Sequence, residues 1–292
     1  SLIELPRFER ISFFNKDTAI LTGDIENDQE NYATNGFYRT TDGGQTWELL
    51  TFNNSSWIYD VFTDTSGHAW MGGSSGDIFY TDDFGENWDT LNSPYTSITR
   101  MHSIFMINLE EGVSGSLRNN IYKTNDNWGT FQKIPTPLDQ NKFKVKDKYA
   151  DNRIEKIIIW KDYIVVNQDG HIFYSDYSNI EWKEFPVEII DFELDFDAQE
   201  LFAITKELEV ILFSNPNKLH IVNNKKLDDK PIDIQVVNHS LYAICSRYYT
   251  SNYEVYKINP DNFKRTLLFT TERKISAPDI IRHGRKLSWG IN

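Results

Sequence analysis

Thr40-Thr41-Asp42-Gly43-Gly44-Gln45-Thr46-Trp47 decides how the rest of the chain is read, because it returns. It comes back as Thr81-Asp82-Asp83-Phe84-Gly85-Glu86-Asn87-Trp88. A more worn copy is Thr124-Asn125-Asp126-Asn127-Trp128-Gly129-Thr130-Phe131, and a remnant is Ser175-Asp176-Tyr177-Ser178-Asn179-Ile180-Glu181-Trp182. Each copy follows a short apolar run: Gly36-Phe37-Tyr38-Arg39, Asp77-Ile78-Phe79-Tyr80, Asn120-Ile121-Tyr122-Lys123 and His171-Ile172-Phe173-Tyr174. Turn signals such as Gly72-Gly73-Ser74-Ser75-Gly76 and Asn167-Gln168-Asp169-Gly170 precede these runs, and earlier still come alternating stretches such as Ile58-Tyr59-Asp60-Val61-Phe62.

Each unit therefore reads as strand, turn, strand, turn, strand, motif, strand. The closing aromatics at 47, 88, 131 and 182 recur at intervals of roughly 40–50 residues, the length of a four-stranded propeller blade. The prediction is an all-β chain, a β-propeller of four-stranded antiparallel blades. Beyond residue 186 the motif fades, but Ile190 to Phe213 and Ile234 to Ile258 keep the rhythm. Ile280-Ile281 and Leu287-Ser288-Trp289 begin a further blade, which Leu2-Ile3-Glu4-Leu5 would close as its outer strand. Closure matters because open sheet edges invite aggregation. The count is seven blades, with six as the alternative, in a single domain over residues 1–292.

The residue types of the motif describe a tight turn. Asp42, Asp83 and Asp126 can accept backbone N–H groups as turn carboxylates do, and Gly44 and Gly85 permit positive φ. Trp47, Trp88 and Phe131 return the chain to the sheet as large apolar rings. The pattern Ser/Thr-x-Asp-x-Gly-x-Thr-Trp resembles the Asp-box, or BNR repeat, of sialidases, sortilin-type receptors and propellers resembling photosystem II assembly factors. The first copy matches at every position with Thr40 in place of Ser; the second keeps Asp83, Gly85 and Trp88, and the third keeps Asp126 and Thr130. The resemblance implies that the turn lies on the face away from the ligand site, as scaffold. The rival reading makes Asp42 or Asp83 a catalytic carboxylate. The resemblance also implies an exported protein, periplasmic or on a bacterial cell surface.

Bulk composition narrows the classes. The 292 residues carry a formal charge of −13, which argues against a nucleic-acid partner. Aromatics at 14% favour β structure, because flat rings pack well on pleated sheets. One cysteine, Cys245, allows no intrachain disulfide. No apolar run reaches the ~20 residues of a transmembrane segment, and Ser1-Leu2-Ile3-Glu4-Leu5-Pro6 lacks the pattern of a signal peptide. No phosphate-binding loop or nucleophile elbow appears, the six histidines include no His-x-x-x-His pair, and neither a metal nor a cofactor is expected. Lys142, Lys144, Lys146 and Lys148 alternate along an extended segment, read as a solvated connection before the fourth blade.

A site is sought over the central channel, at the starts of the inner strands. Aligning those strands on Ile11, Val61, Ile104 and Ile157 brings Arg7, Trp57, Arg100 and Arg153 into register four positions earlier. Two positions earlier stand Glu9, Tyr59, His102 and Glu155, and a period of two puts both sets on one side of their strands. Arg118, Arg247, Tyr248 and Tyr249 could join from the inner turns. Arginine forks suit carboxylates, phosphates and sulfates. The candidate ligand set is Arg7, Trp57, Tyr59, Arg100, His102, Arg153 and Glu155. The competing reading makes these solvated strand-start charges paired with neighbouring acids.

No catalytic set is assigned. Sialidase chemistry needs three arginines, a Tyr–Glu nucleophile pair and an acid, and the resemblance would place an Arg-Ile-Pro near the start, where Arg10-Ile11-Ser12 stands. The expected function is a non-enzymatic propeller that binds a glycan or a protein through its channel face. The alternatives are a sialidase-like glycoside hydrolase and an assembly or scaffold factor.

Overall fold

The computed structural model describes residues 7–271 except 27–32, 35, 53–56, 97–98, 141–151, 196–197, 207–208, 217, 222–229, 238–239, 247–252 and 260–264. The described residues form six antiparallel sheets. The first holds β1 (Arg7–Phe13), β2 (Ala19–Glu26), β3 (Ala33–Thr34), β4 (Gly36–Thr40) and β5 (Glu48–Thr51), ordered β1-β2-β4-β5 with β3 paired to β2. The others run in simple sequence order. They are β6 (Ile58–Thr63) to β9 (Asp89–Leu91) through β7 (Ala69–Gly73) and β8 (Ile78–Thr81), then β10 (Met101–Met106), β11 (Glu111–Ser116), β12 (Asn120–Asn125) and β13 (Gln132–Ile134). The fourth sheet is β14 (Ile154–Trp160), β15 (Tyr163–Gln168), β16 (His171–Asp176) and β17 (Lys183–Glu184). The fifth is β18 (Ile189–Asp195), β19 (Glu200–Thr205), β20 (Val210–Asn215) and β21 (Lys218–Ile221). The sixth is β22 (Lys230–Val237), β23 (Ser240–Ser246), β24 (Tyr253–Ile258) and β25 (Arg265–Thr271). The further blade expected from residues 280–289 and 2–5 lies outside the described residues, as do the lysines at 142–148.

Two compact units divide the chain, residues 1–159 and 160–292. In the first, Phe14, Ile20, Phe37, Val61, Met71 and Phe79 form one core, drawn from the first and second sheets. Trp70, Ile78, Met101, Ile104, Met106 and Trp128 form another, drawn from the second and third. In the second unit, Phe202, Ile204, Val210, Ile234 and Leu241 join the fifth and sixth sheets. A sheet covered on both faces buries every residue of an inner strand, and Ala69–Gly73 is buried throughout. The neighbours come close: a Cβ on Gly72 would stand 2.6 Å from Sδ of Met101.

The Thr-x-Asp turns join the third and fourth strands of the first three sheets. Asp42 Oδ1 accepts the N–H of Thr46 at 2.9 Å, and Thr46 Oγ1 donates to Asp42 Oδ2 at 2.6 Å. Thr40 donates to the same carboxylate and accepts the N–H of Gly44. Asp83 repeats this with Asn87 and Thr81, and Asp126 with Thr130 and Thr124. The fourth copy differs, for Asp176 stands one place early and caps Ser178 and Asn179. Two successive left-handed residues make each bend: Gly43 and Gly44, Phe84 and Gly85, Asn127 and Trp128.

Trp128 thus occupies the place of Gly44 and Gly85, and this changes the third turn. Its ring is wholly buried against the second sheet, while Phe131, expected as the returning apolar ring, is 42% exposed. Asn127 beside it accepts the indole N–H of Trp70 at 2.7 Å. In the second turn the equivalent Gly85 lies against Ile20 and Arg39 of the first sheet, and Arg39 pairs with Glu86 at 3.1 Å. These turns fasten one sheet to the preceding one.

Candidate functional site

Connectivity separates the turns from the strand starts. Gly43 N–H donates to Asp17 C=O, Phe84 to Gly67 and Asn127 to Glu110, so each Thr-x-Asp turn rests on the first hairpin turn of its own sheet. The first strands begin at the other end, roughly 20 Å away for a strand of six residues. There the turn between the second and third strands meets the start of the first. Ser74 N–H donates to Trp57 C=O at 2.8 Å, and Leu117 N–H donates to Arg100 C=O at 2.9 Å. In the second unit Lys206 N–H donates to Glu188 C=O in the same manner. Trp57 and Arg100 therefore hold equivalent places immediately before β6 and β10.

The first strands of the first three sheets are bulged near their starts, which interrupts the expected period of two. The register of β1 on β2 shifts between Phe8 and Arg10, of β6 on β7 between Ile58 and Asp60, and of β10 on β11 between Met101 and Ser103. Glu9, Tyr59 and His102 are the extra residues. A bulge sets two residues against one and re-aims the side chains there, so strict alternation from position 57 to 59, or 100 to 102, does not apply. The rings of Tyr59 and His102 meet across the two sheets, 4.7 Å between centroids and tilted by 33°. Trp57 is 43% exposed and Arg100 is exposed.

The residue after each bulge ties one sheet to the next. Asp60 Oδ2 accepts the N–H of Ile104 at 2.8 Å, and its Oδ1 lies 3.4 Å from Nε of Arg10. Ser103, whose hydroxyl helps to hold the Asp60 carboxyl down, accepts the N–H of Ile157 at 3.0 Å. In the second unit Asp191 accepts the N–H of Ile234 at 3.0 Å. Burial raises the Asp60 carboxyl above the usual carboxylate range, against the pull of Arg10 and of the N–H groups of Ile104 and Val61. Sequence reasoning passed over these residues. A signal was present, since a polar residue precedes each of the four aligned apolar ones: Arg10, Asp60, Ser103 and Lys156.

The structure thus brings Tyr59 and His102 together, with Trp57 and Arg100 at the same end of their strands. Arg153 and Glu155 stand at the start of β14, half-buried, next to Asn152, whose C=O takes the N–H of Asn119. Arg118 is exposed in the β11–β12 turn with φ 69°. Arg7 and Glu9 lie on β1, and their side chains fall outside the described set, as do Arg247, Tyr248 and Tyr249. Among the described residues no group of three His, Cys, Asp or Glu is placed to hold a metal ion, and no helix is long and apolar enough to cross a membrane.

No family model matches this chain, and no curated protein matches it in sequence. Solved structures do match. YCF48 bound to a D1 peptide aligns with TM-score 0.62 at 14% identity, over 91% of this chain and 82% of that one. YCF48 from Cyanidioschyzon merolae aligns with TM-score 0.63 at 14% identity, over 90% and 86%. The GH74 xyloglucanase of Xanthomonas campestris aligns with TM-score 0.65 at 11% identity, over 90% of this chain and 45% of the enzyme. At these identities the likeness is one of fold: the chain is an all-β propeller built of four-stranded antiparallel blades.

Proposed function

We propose that this protein is a non-enzymatic binding propeller that docks a peptide segment of a partner protein at the strand starts of its first unit. The observation that carries the reading is the Tyr59–His102 ring contact at 4.7 Å, with exposed Trp57 and Arg100 at the same strand ends. Flat rings take an apolar or aromatic side chain with little entropy cost, and a guanidinium fork takes a carboxylate. The partner segment therefore combines an aromatic or proline residue with an acidic one. A neighbour in fold, YCF48, has been solved with a peptide, which supports this mode of use. The likeness of the Thr40–Trp47 and Thr81–Trp88 turns to the Asp-box supports a scaffold role for Asp42, Asp83 and Asp126. It also supports placing the activity outside the cytoplasm.

The test is selection of a displayed random-peptide library on the wild-type protein, with recovered peptides titrated against a Trp57→Ala/Arg100→Ala double variant. Enrichment of acidic, aromatic-containing peptides that bind the variant at least tenfold more weakly is the expected result. Peptides that bind both proteins equally would remove the site. Release of sialic acid from a sialoside by the wild-type protein would move the reading to a glycoside hydrolase.

A further inference from the structure

Behind the strand starts runs a line of polar contacts that crosses the sheets of the first unit. Arg10 on β1 meets Asp60 on β6; Asp60 takes the N–H of Ile104 on β10; Ser103, next to Ile104, takes the N–H of Ile157 on β14. Asp60 and Ser103 are 7% and 3% exposed, so these bonds are shielded from competing water. Each residue of the line directly follows a bulged one: Arg10 follows Glu9, Asp60 follows Tyr59, Ser103 follows His102. A bulge shifts the ladder register at its extra residue, so the two-strand register alone does not fix where that side chain goes. The bond between sheets stands at the very next residue to Tyr59, and Ser103 and Ile104 follow His102 directly.

We infer that Asp60 and Ser103 are positioning residues for the docking face: by locking the register between neighbouring sheets they hold Tyr59 and His102 in ring contact. The inference deepens the peptide-docking reading and uses the same face. Asp60 contributes an acceptor for a backbone N–H and a charge for Arg10, and only the acceptor sets the height of β10 against β6. Asparagine keeps an oxygen at that place; alanine removes it and leaves the Ile104 N–H buried and unsatisfied. Asp191 on β18 makes the corresponding bond to Ile234 on β22, in sheets that hold neither Tyr59 nor His102. It therefore serves as a control with the same chemistry in other sheets.

The experiment reads the ring protons of His102 by NMR in protein labelled at histidine, with no ligand present. The signal is identified by its loss in His102→Gln, and Tyr59→Leu gives the position it takes when the ring contact is gone. Asp60→Ala is expected to move the His102 signal to the Tyr59→Leu position, with Asp60→Asn and Asp191→Ala close to wild type. Should Asp60→Ala not fold, Ser103→Ala carries the test, with a shift in the same direction. A wild-type His102 signal in folded Asp60→Ala or Ser103→Ala overturns the inference. So does an equal shift in Asp191→Ala, which would make the effect one of general loosening. Because no peptide is involved, failure here is distinct from failure of the peptide selection.

Discussion

Asp83 accepts from the side chains of Thr81 and Asn87 and from the N–H groups of Glu86 and Asn87, all within four residues of itself. Burial alone would raise this carboxyl; the bonds from Asn87, Thr81 and Glu86 outweigh it and bring it down to about 2, and Asp42 reaches about 2 by the same balance with Thr46, Thr40 and Gln45. Asp83→Ala strips a turn of its acceptor and is expected to cost about 1–2 kcal/mol, as at other capped N–H groups, read as a fall of a few degrees in Tm with no loss of peptide binding. A binding loss at unchanged Tm would instead make Asp83 functional. The sign of the pH effect follows from the lowered values. Above about pH 5 both carboxylates are ionised in either state and their contribution is complete. As pH falls towards 2 the unfolded chain takes up protons first, and that contribution is lost. The Asp42→Asn/Asp83→Asn variant should therefore lose less stability than wild type between pH 5 and pH 2 in urea titrations. These carboxylates were legible because their partners are local. Asp60 and Ser103 were not, since the N–H groups they accept lie 44 and 54 residues further along the chain.

The strand pattern was legible because each blade repeats its turn chemistry, and β6 to β13 follow the runs picked out by their turns. Two features of the elements were hidden. Bulges at the starts of β1, β6 and β10 break the alternation from which the facing of the candidate residues was read, and a bulge has no composition of its own here: Glu9, Tyr59 and His102 share no chemistry. The third turn was read with Phe131 as its apolar ring, since that position matches Trp47 and Trp88. Trp128 took the core instead, because its left-handed backbone (φ 65°) points the indole into the second sheet beside Trp70 and Ile78. Trp128→Ala keeps the same backbone demand and opens a cavity there, with an expected cost of about 3–5 kcal/mol. Phe131→Ala removes a ring already 42% exposed and should cost about 1 kcal/mol or less. Chemical denaturation of the two variants checks the order. Equal costs would mean that the core between the second and third sheets does not depend on Trp128.

At the scale of the whole molecule, a formal charge of −13 acts against the acidic segment that the docking face would take. The two effects have different ranges. In about 10 mM salt the screening length is ~30 Å, so an approaching acidic peptide feels the net negative charge of the protein. At about 150 mM it falls to ~8 Å, and only groups at the face, exposed Arg100 among them, remain in reach. At about 1 M it is ~3 Å, and the contact with the guanidinium is itself weakened. The association rate of a selected acidic peptide should consequently rise from 10 mM to 150 mM salt and fall again towards 1 M, in contrast to the steady decline of a pair with complementary net charge. Arg100→Ala should keep the rise, which belongs to the whole molecule, and flatten the fall, which belongs to one side chain. Stopped-flow measurements at the three salt concentrations separate these limbs. A rate that declines from the lowest salt onward, in wild type and variant alike, would mean that the peptide approaches a surface other than the acidic envelope around Arg100.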